Sequence, residues 1–222
     1  GRVNNMRELL LYQFRSEFRK KSIFFSLALY LVSLVFINYL ALGIQNRSLE
    51  PVVWSALFWM AVLSTLVNAI AKSFINDRPG TMGYLYSLVA PEKIIASKIV
   101  YGFLLCSGIS LAGYVFFGLW LNNPIQDVPL FLLTLLLSSF GFSAALSLLS
   151  AIAAKTNNGS MVMAILSFPV IIGLLLMSIK ITKNCIDGLE RSASSDELLM
   201  LTGINLMAAA VSYLLFPYIW RS

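Results

Sequence analysis

The sequence predicts an all-α membrane protein with six transmembrane helices. Of the 222 residues, 59% are hydrophobic and only 12% are charged, whereas about 25% are charged in a typical soluble domain. The order of the residues agrees with this, because long apolar runs alternate with short polar clusters. A mean hydropathy of +0.82 also argues against a disordered chain, which would be poor in apolar residues.

Six apolar runs have the length that a membrane span requires. A spanning helix needs about 20 apolar residues, and no run contains Asp, Glu, Lys or Arg. The predicted spans are residues 23–44, 52–71, 99–120, 128–154, 161–179 and 198–220. They leave no room for a soluble catalytic domain, so we expect one transmembrane domain over residues 1–222.

The distribution of basic residues predicts the orientation. Of 16 Lys and Arg residues, 12 fall in the segments that six spans place on the side of the two termini. Basic connections stay in the cytoplasm, so both termini are expected there. The longest basic cluster is the run 19–21, and we therefore expect no nucleic-acid partner.

The segment before the first span has the pattern of an amphipathic helix. Met6, Leu10, Phe14 and Phe18 recur at helical spacing, and basic residues occupy the other faces. Such a helix lies in the headgroup layer of a membrane. We predict an interfacial helix over residues 6–21.

Residues 72–98 form a long cytoplasmic connection between the second and third spans. Loops of this length are usually functional or disordered, and this one is rich in apolar and aromatic residues. Its pattern predicts a turn, a short helix over 81–88, and a new helix that begins with proline and a glutamate. The candidate coupling residues are Asp77, Gly80, Thr81, Tyr84, Leu85, Leu88, Pro91 and Glu92. Two interpretations stay open: docking into a groove of a soluble partner, or packing under the bundle.

Three further features concern the fourth span, the fifth span and the connection that follows it. The fourth span carries small residues at close spacing, which favour close helix packing: Ser139, Gly141, Ser143 and Ser147. Pro169 in the fifth span predicts a kink, because it has no N–H for the preceding turn. Residues 180–197 are expected as a periplasmic connection, with a short surface helix followed by a flexible link.

The sequence lacks the residues for several kinds of chemistry. It contains no histidine, no G-x-x-x-x-G-K-[ST] phosphate loop and no charged residue within the predicted spans. ATP hydrolysis, metal binding and ion-coupled transport are therefore not expected of this chain. Two classes remain, the membrane half of a transporter driven by a separate ATPase, and a membrane scaffold.

Two stretches resemble the CcmB family, the membrane subunit of the ABC-type machinery for cytochrome c maturation. The first is Phe74–Lys98, with its acidic turn, glycine, short apolar helix and proline before I-I-A-S-K. The second comprises Gly141-Phe142, Lys155, Gly159 and the run Ala164–Ile172. One departure is Gly173, where a second proline is expected.

The resemblance implies an ABC-2 type permease in the bacterial inner membrane. It implies a homodimer bound to two copies of the ATPase CcmA, which would hold ATP and Mg²⁺, and association with CcmC, CcmD and the haem chaperone CcmE. Haem would be cargo of the complex, exported or carried by the released chaperone, since this chain offers no obvious axial ligand. The alternatives are a permease of the same type for a lipid, polysaccharide or drug, and a scaffold that transports nothing.

A variant in the predicted short helix tests the docking interpretation. Proline insertion or charge reversal at 84–88 should abolish copurification of the ATPase, because either change disrupts an amphipathic docking helix. Copurification is measured by pull-down from detergent-solubilised membranes. If the ATPase still copurifies in the usual amount, the segment does not dock it.

Overall fold

The computed structural model describes residues 21–43, 49–75, 90–154 and 159–221, and here the chain is almost entirely helical. Six long helices follow one another, and no strand occurs in these ranges. The helices are α1 (Lys21–Gly43), α2 (Pro51–Ile75), α3 (Pro91–Trp120), α4 (Val128–Ala154), α5 (Gly159–Asp187) and α6 (Ser195–Arg221), with a 3-10 turn at Arg191–Ser194. The all-α prediction is confirmed. The predicted interfacial helix 6–21 lies outside the described residues, apart from Lys21.

Five helices, α1 to α4 and α6, contain stretches long and apolar enough to cross a membrane. The longest is α3, whose 30 residues extend about 45 Å, against about 30 Å of hydrocarbon. The fifth predicted span, 161–179, lies within α5. The side chain of Pro169 is outside the described part of α5, so its kink stays a prediction. The chain is a multi-pass membrane protein.

The connection between α2 and α3 is shorter than residues 72–98. Helix α2 continues to Ile75, and the helix predicted to begin at Pro91 runs without a break into the third predicted span, so that α3 begins eight residues before residue 99. The first turns of α3 are helical for a clear reason, because Ile94 and Ile95 are buried against the bundle. Burial of these side chains extends the helix beyond the part that the bilayer alone requires.

Helix α5 also continues into residues predicted as a connection. Its last turns, from Lys180 to Asp187, occupy the first half of the predicted loop 180–197. Ile181 and Ile186 are buried there, whereas Lys183 pairs with Asp187 at the surface. The segment is thus an amphipathic end of α5, and the separate surface helix expected here was wrong.

A glycine ends α5 and reverses the chain. Gly188 has a φ of +64°, which L side chains adopt at a cost. The N–H of Leu189 donates to Asn184 O at 3.2 Å, the bond that closes a Schellman C-cap. A side chain at position 188 would also collide with Gln126.

Helix α4 is the centre of the bundle. It packs against α2, α3, α5 and α6, and 72% of its membrane stretch is buried. Helix α1 lies at the edge, contacts α2 and α3, and has 17% of its stretch buried. The central position of α4 explains why it carries the small residues, because a helix with four neighbours has to approach each of them closely.

Aromatic residues fill the core where α2, α3 and α4 meet. Phe58 is fully buried and lies at the centre of this group. Its ring centroid is 5.5 Å from that of Trp54, 5.4 Å from Phe117 and 5.6 Å from Phe131. Such ring pairs contribute about 0.5–1.5 kcal/mol beyond the area they bury.

Polar groups connect α4 to α6 and α5 at the middle of the span. The Asn205 side chain of α6 donates to Leu137 O at 2.7 Å. One residue later, the hydroxyls of Ser138 and Ser178 lie 2.6 Å apart, which joins α4 to α5. Both bonds are made inside a bundle where lipid offers no alternative partner.

Two further polar contacts bring α3 and α2 into this group, one from α4 to α3 and one from α2 to α5. The hydroxyls of Ser139 and Ser110 lie 3.4 Å apart, and Trp59 Nε1 donates to Thr182 Oγ1 at 2.9 Å. We call these four interhelical contacts the polar belt. Measured bonds of this kind in membranes average about 0.6 kcal/mol, so the belt fixes register more than it supplies stability.

Gly141 allows α4 to approach α5 and α6. A Cβ at this position would collide with Asn205 Oδ1 and lie 2.8 Å from a methyl group of Leu174. Asn205 is held in place by its bond to Leu137 O. The glycine is therefore a packing requirement of the belt.

Gly141→Ala should destabilise the protein by about 1–3 kcal/mol, the usual cost of overpacking a filled core. The matched control is Gly203→Ala, because a Cβ at Gly203 meets nothing within 4 Å. Unfolding in detergent, followed by circular dichroism, measures both. Equal stability of the two variants would show that α4 and α6 do not pack as described.

Candidate coupling site

The start of α3 is the described part of the predicted coupling segment. Ala90 has an extended backbone and acts as N-cap without a side-chain bond, and Pro91 follows in the first turn. Proline suits this position because the first N–H groups have no partner within a helix. Glu92 places a negative charge near the positive end of the helix. The predicted helix start is confirmed.

The first three turns of α3 are anchored on two other helices. Their isoleucines share an apolar cluster, which we call the anchor cluster, with residues of α4 and α6. Its members are Ile94, Ile95, Ile99, Ala144, Ala151 and Phe216. Ile95 and Phe216 are fully buried. This end of α3 therefore belongs to the same packed unit as α4 and α6.

Small residues of α4 strengthen this attachment. Ser143 Oγ donates to Ile99 O at 2.6 Å. Gly102 leaves the necessary space, because a Cβ there would collide with Ser143 Oγ and lie 3.7 Å from Ser147 Oγ. Ser143 and Ser147 are thus packing residues between helices of one chain.

Six of the eight predicted coupling residues lie outside the described residues, namely Asp77, Gly80, Thr81, Tyr84, Leu85 and Leu88. The other two, Pro91 and Glu92, begin α3. The docking half of the predicted site therefore stays a prediction, whereas its connection to the bundle is visible.

Sequence reasoning missed the anchor cluster and Asn205. The spacing of Ile94, Ile95 and Ile99 was a usable signal, because apolar residues at i, i+1 and i+5 fall on one side of a helix. Phe216 offered none, since it stands in a uniformly apolar run. Asn68, another amide within a predicted span, donates to Ser64 O of its own helix.

The opposite end of the bundle carries an ion pair. Arg191 donates through Nε to Asp127 Oδ2 at 2.7 Å and through Nη2 to Oδ1 at 3.1 Å. Asp127 also caps α4 by accepting from the N–H of Leu130. The bond from Arg191, and then the one from Leu130, lower the pKa of the Asp127 carboxyl.

The same connection is tied to the end of α5. The N–H groups of Gln126 and Asp127 donate to Cys185 O at 3.0 and 3.3 Å. Asn184 donates to the hydroxyl of Ser194 at 2.9 Å. The ends of α4, α5 and α6 are therefore linked here.

These arrangements position helices and have no reacting groups at their centre. In the described ranges, no three His, Cys, Asp or Glu side chains gather as metal ligands. Cys106 and Cys185 are both buried free thiols. The geometry suits transmission of movement along the bundle.

Comparison with known families identifies the family of this chain. The CcmB protein family matches residues 4–220, nearly the whole chain. The chain belongs to the CcmB family. This confirms the resemblance to the CcmB family. No curated protein matches the chain significantly. As a CcmB protein, it is a membrane component of the haem exporter of cytochrome c maturation and belongs with the other Ccm components.

Acid should weaken the Asp127–Arg191 connection. A lowered pKa of Asp127 in the folded state contributes stability that is present above the usual carboxyl pKa of about 4 and is lost as the pH falls below it. Asp127→Asn should therefore show a smaller loss of thermal stability than the unchanged protein between about pH 6 and pH 3, a range that brackets that value. Melting in detergent across this range measures the effect.

Glu190→Gln is the control, because Glu190 is a nearby exposed carboxylate outside this pair. It should keep the acid sensitivity of the unchanged protein. If Asp127→Asn is equally acid-sensitive, the ion pair contributes nothing measurable.

Proposed function

We propose that this CcmB protein is the permease subunit of an ABC-type complex and couples a separate ATPase, CcmA, to the outer side of the membrane. The anchor cluster carries the proposal, because it joins the segment expected to dock the ATPase to α4 and α6. The chain has no phosphate loop, so the proposal assigns ATP, Mg²⁺ and all catalysis to two CcmA copies.

The path of the movement begins at residues 76–89, the segment between Ile75 of α2 and Ala90. Force applied to this segment reaches α3 at Pro91. The buried side chains of Ile94 and Ile95 transfer it to α4 and α6, because a close-packed contact transmits displacement. Ser143, bonded to Ile99 O, resists sliding of α3 along α4.

The same two helices extend to the opposite end. Asp127 caps α4, and its partner Arg191 lies in the turn that leads into α6. Movement received by α4 and α6 thus reaches the surface formed by these connections. In the proposal this surface signals to CcmC, CcmD and the haem chaperone CcmE, and the ATPase cycle either exports haem or releases the haem-loaded chaperone.

The proposal places the chain in the bacterial inner membrane as a homodimer with cytoplasmic termini. The excess of basic residues on the side of the termini, 12 of 16, supports this orientation. No iron ligand of this chain is involved, so haem is cargo of the complex and no cofactor of CcmB.

Ile95→Ala tests the coupling path. The variant should still bind CcmA but yield severalfold less mature cytochrome c, because it loosens α3 from α4 and α6 while leaving residues 76–89 intact. Truncating a buried isoleucine costs about 2–5 kcal/mol, so the amount of folded protein is measured alongside. CcmA copurification and covalently bound haem are the two readouts.

Val100→Ala is the matched control, since Val100 lies on the exposed side of the same helix. It should keep full maturation. Phe216→Leu approaches the cluster from α6 and should repeat the phenotype of Ile95→Ala. Normal maturation in both cluster variants, at normal protein levels, would contradict the coupling path.

A further inference from the structure

Helix α6 is bonded to α4 through two polar side chains. Asn205 donates to Leu137 O at 2.7 Å. Ser212 lies about two turns nearer the C-terminal end, and its Oγ is 3.1 Å from Ala144 O. Since 17% of the membrane stretch of α6 is buried, against 72% for α4, apolar packing holds α6 less firmly and these bonds count for more.

The bond from Ser212 to α4 can break without leaving an unpaired donor. Its Oγ also lies 2.6 Å from Ala208 O, in the preceding turn of α6. A serine hydroxyl has one hydrogen, which can therefore pass from Ala144 O to Ala208 O. Ala144 O lies inside α4 and keeps the backbone bond of its own helix. In the hydrocarbon, where water offers no replacement, the second acceptor lowers the cost of separating the helices.

The bond from Asn205 is different. In the described ranges its side-chain nitrogen has no second acceptor, and its Oδ1 is buried without a hydrogen-bond partner. If α6 moved away from α4 here, the whole amide would be left unpaired, which is costly in an apolar interior. Asn205 therefore fixes α6 on α4, whereas Ser212 holds it by a bond that can be released.

Pro217 weakens the helix just beyond Ser212. It lies inside α6, and because proline has no N–H, the carbonyl of Tyr213 loses its usual helical donor. In the described residues beyond Ser212, the buried side chain is Phe216, which belongs to the anchor cluster. The C-terminal end of α6 is thus held by one releasable bond and one apolar contact.

We propose that residues 206–221 of α6, the α6 arm, tilt about Asn205 as a pivot and are held against α4 by the bond from Ser212 to Ala144 O. When the arm is open, the hydroxyl of Ser212 bonds to Ala208 O. Tyr218 is 13 residues from the pivot, so a tilt of about 10° displaces it by about 3 Å.

The role of the arm rests on the proposed function. Phe216 shares the anchor cluster with Ile94, Ile95 and Ile99 of α3, so a displacement of the start of α3 acts on the arm. Because the arm yields at Ser212, the N-terminal half of α6 stays bonded to α4 at Asn205. The arm therefore accommodates the movement of α3 without separating α4 from the part of α6 that leads to Arg191.

Distances between two spin labels test the arm in the purified full chain. One label is attached at Tyr218→Cys, a position that is 76% exposed, and the other at Asn68→Cys, an exposed position near the C-terminal end of α2. The native Cys106 and Cys185 are buried and stay unlabelled. Double electron–electron resonance should give two distances that differ by about 3 Å, the displacement of a 10° tilt.

The control pair joins the same two helices near their N-terminal ends. Its labels are attached at Val53→Cys and Thr202→Cys, which are both exposed positions. Thr202 lies on the other side of the pivot from the arm. This pair should therefore give a single distance.

Ser212→Ala removes the releasable bond in the Tyr218 pair. It should raise the ratio of the longer to the shorter distance about threefold, the factor that corresponds to an average interhelical bond in a membrane. Ser212→Thr keeps a hydroxyl and should restore the distribution of the unchanged chain. Ser64→Ala is the matched control, because Ser64 Oγ makes the same kind of bond to the preceding turn, 2.7 Å from Met60 O, in another helix.

Three results would overturn the proposal. They are a single distance for the Tyr218 pair, a distribution that Ser212→Ala leaves unchanged, and an equal change in both label pairs, which would mean that α6 moves as one rigid helix. The measurements need no ATPase, so such a result would not bear on the coupling path, which Ile95→Ala tests separately.

Discussion

A polar group inside the hydrocarbon has to find its partner within the protein, and this requirement organises the bundle around α4. Leu137, Ser138 and Ser139 meet three different helices through polar contacts. Since lipid tails are as apolar as leucine, these helices gain little from apolar burial alone. Gly141, one turn further, provides the room without which Asn205 could not reach Leu137.

The two ends of the protein then follow from how far the central helices extend. Helix α3 is longer than the hydrocarbon core is thick, and its first turns stay helical because Ile94 and Ile95 pack on α4 and α6. At the other end, Asp127 caps α4 and holds Arg191 beside the start of α6. One group of helices thus connects the segment expected to meet the ATPase with the opposite surface.

The sequence was sufficient to predict the helices, because the absence of charge over some 20 residues depends on the bilayer and needs no knowledge of tertiary contacts. It was less informative where helices leave the bilayer. The C-terminal ends of α2 and α5 extend beyond the predicted spans, since amphipathic turns such as 180–187 resemble loops in composition. Phe216 could not be found, because in a uniformly apolar run no periodicity separates the lipid face from the protein face. Asn205 was a usable signal that was missed, because an amide within a span is expected to hydrogen-bond to a neighbouring helix.

In the proposed coupling, the anchor cluster lets the central helices act as a lever. From Ala151 in that cluster to Asp127 at the other end of α4 is about 36 Å, so a tilt of about 10° displaces the far end by about 6 Å. Asp127 and Arg191 belong to the ends of α4 and α6 and travel together. The bonds from Gln126 and Asp127 to Cys185 O and the bond from Asn184 to Ser194 join these ends to α5, so a tilt of α4 and α6 would have to carry the end of α5 with it or break them.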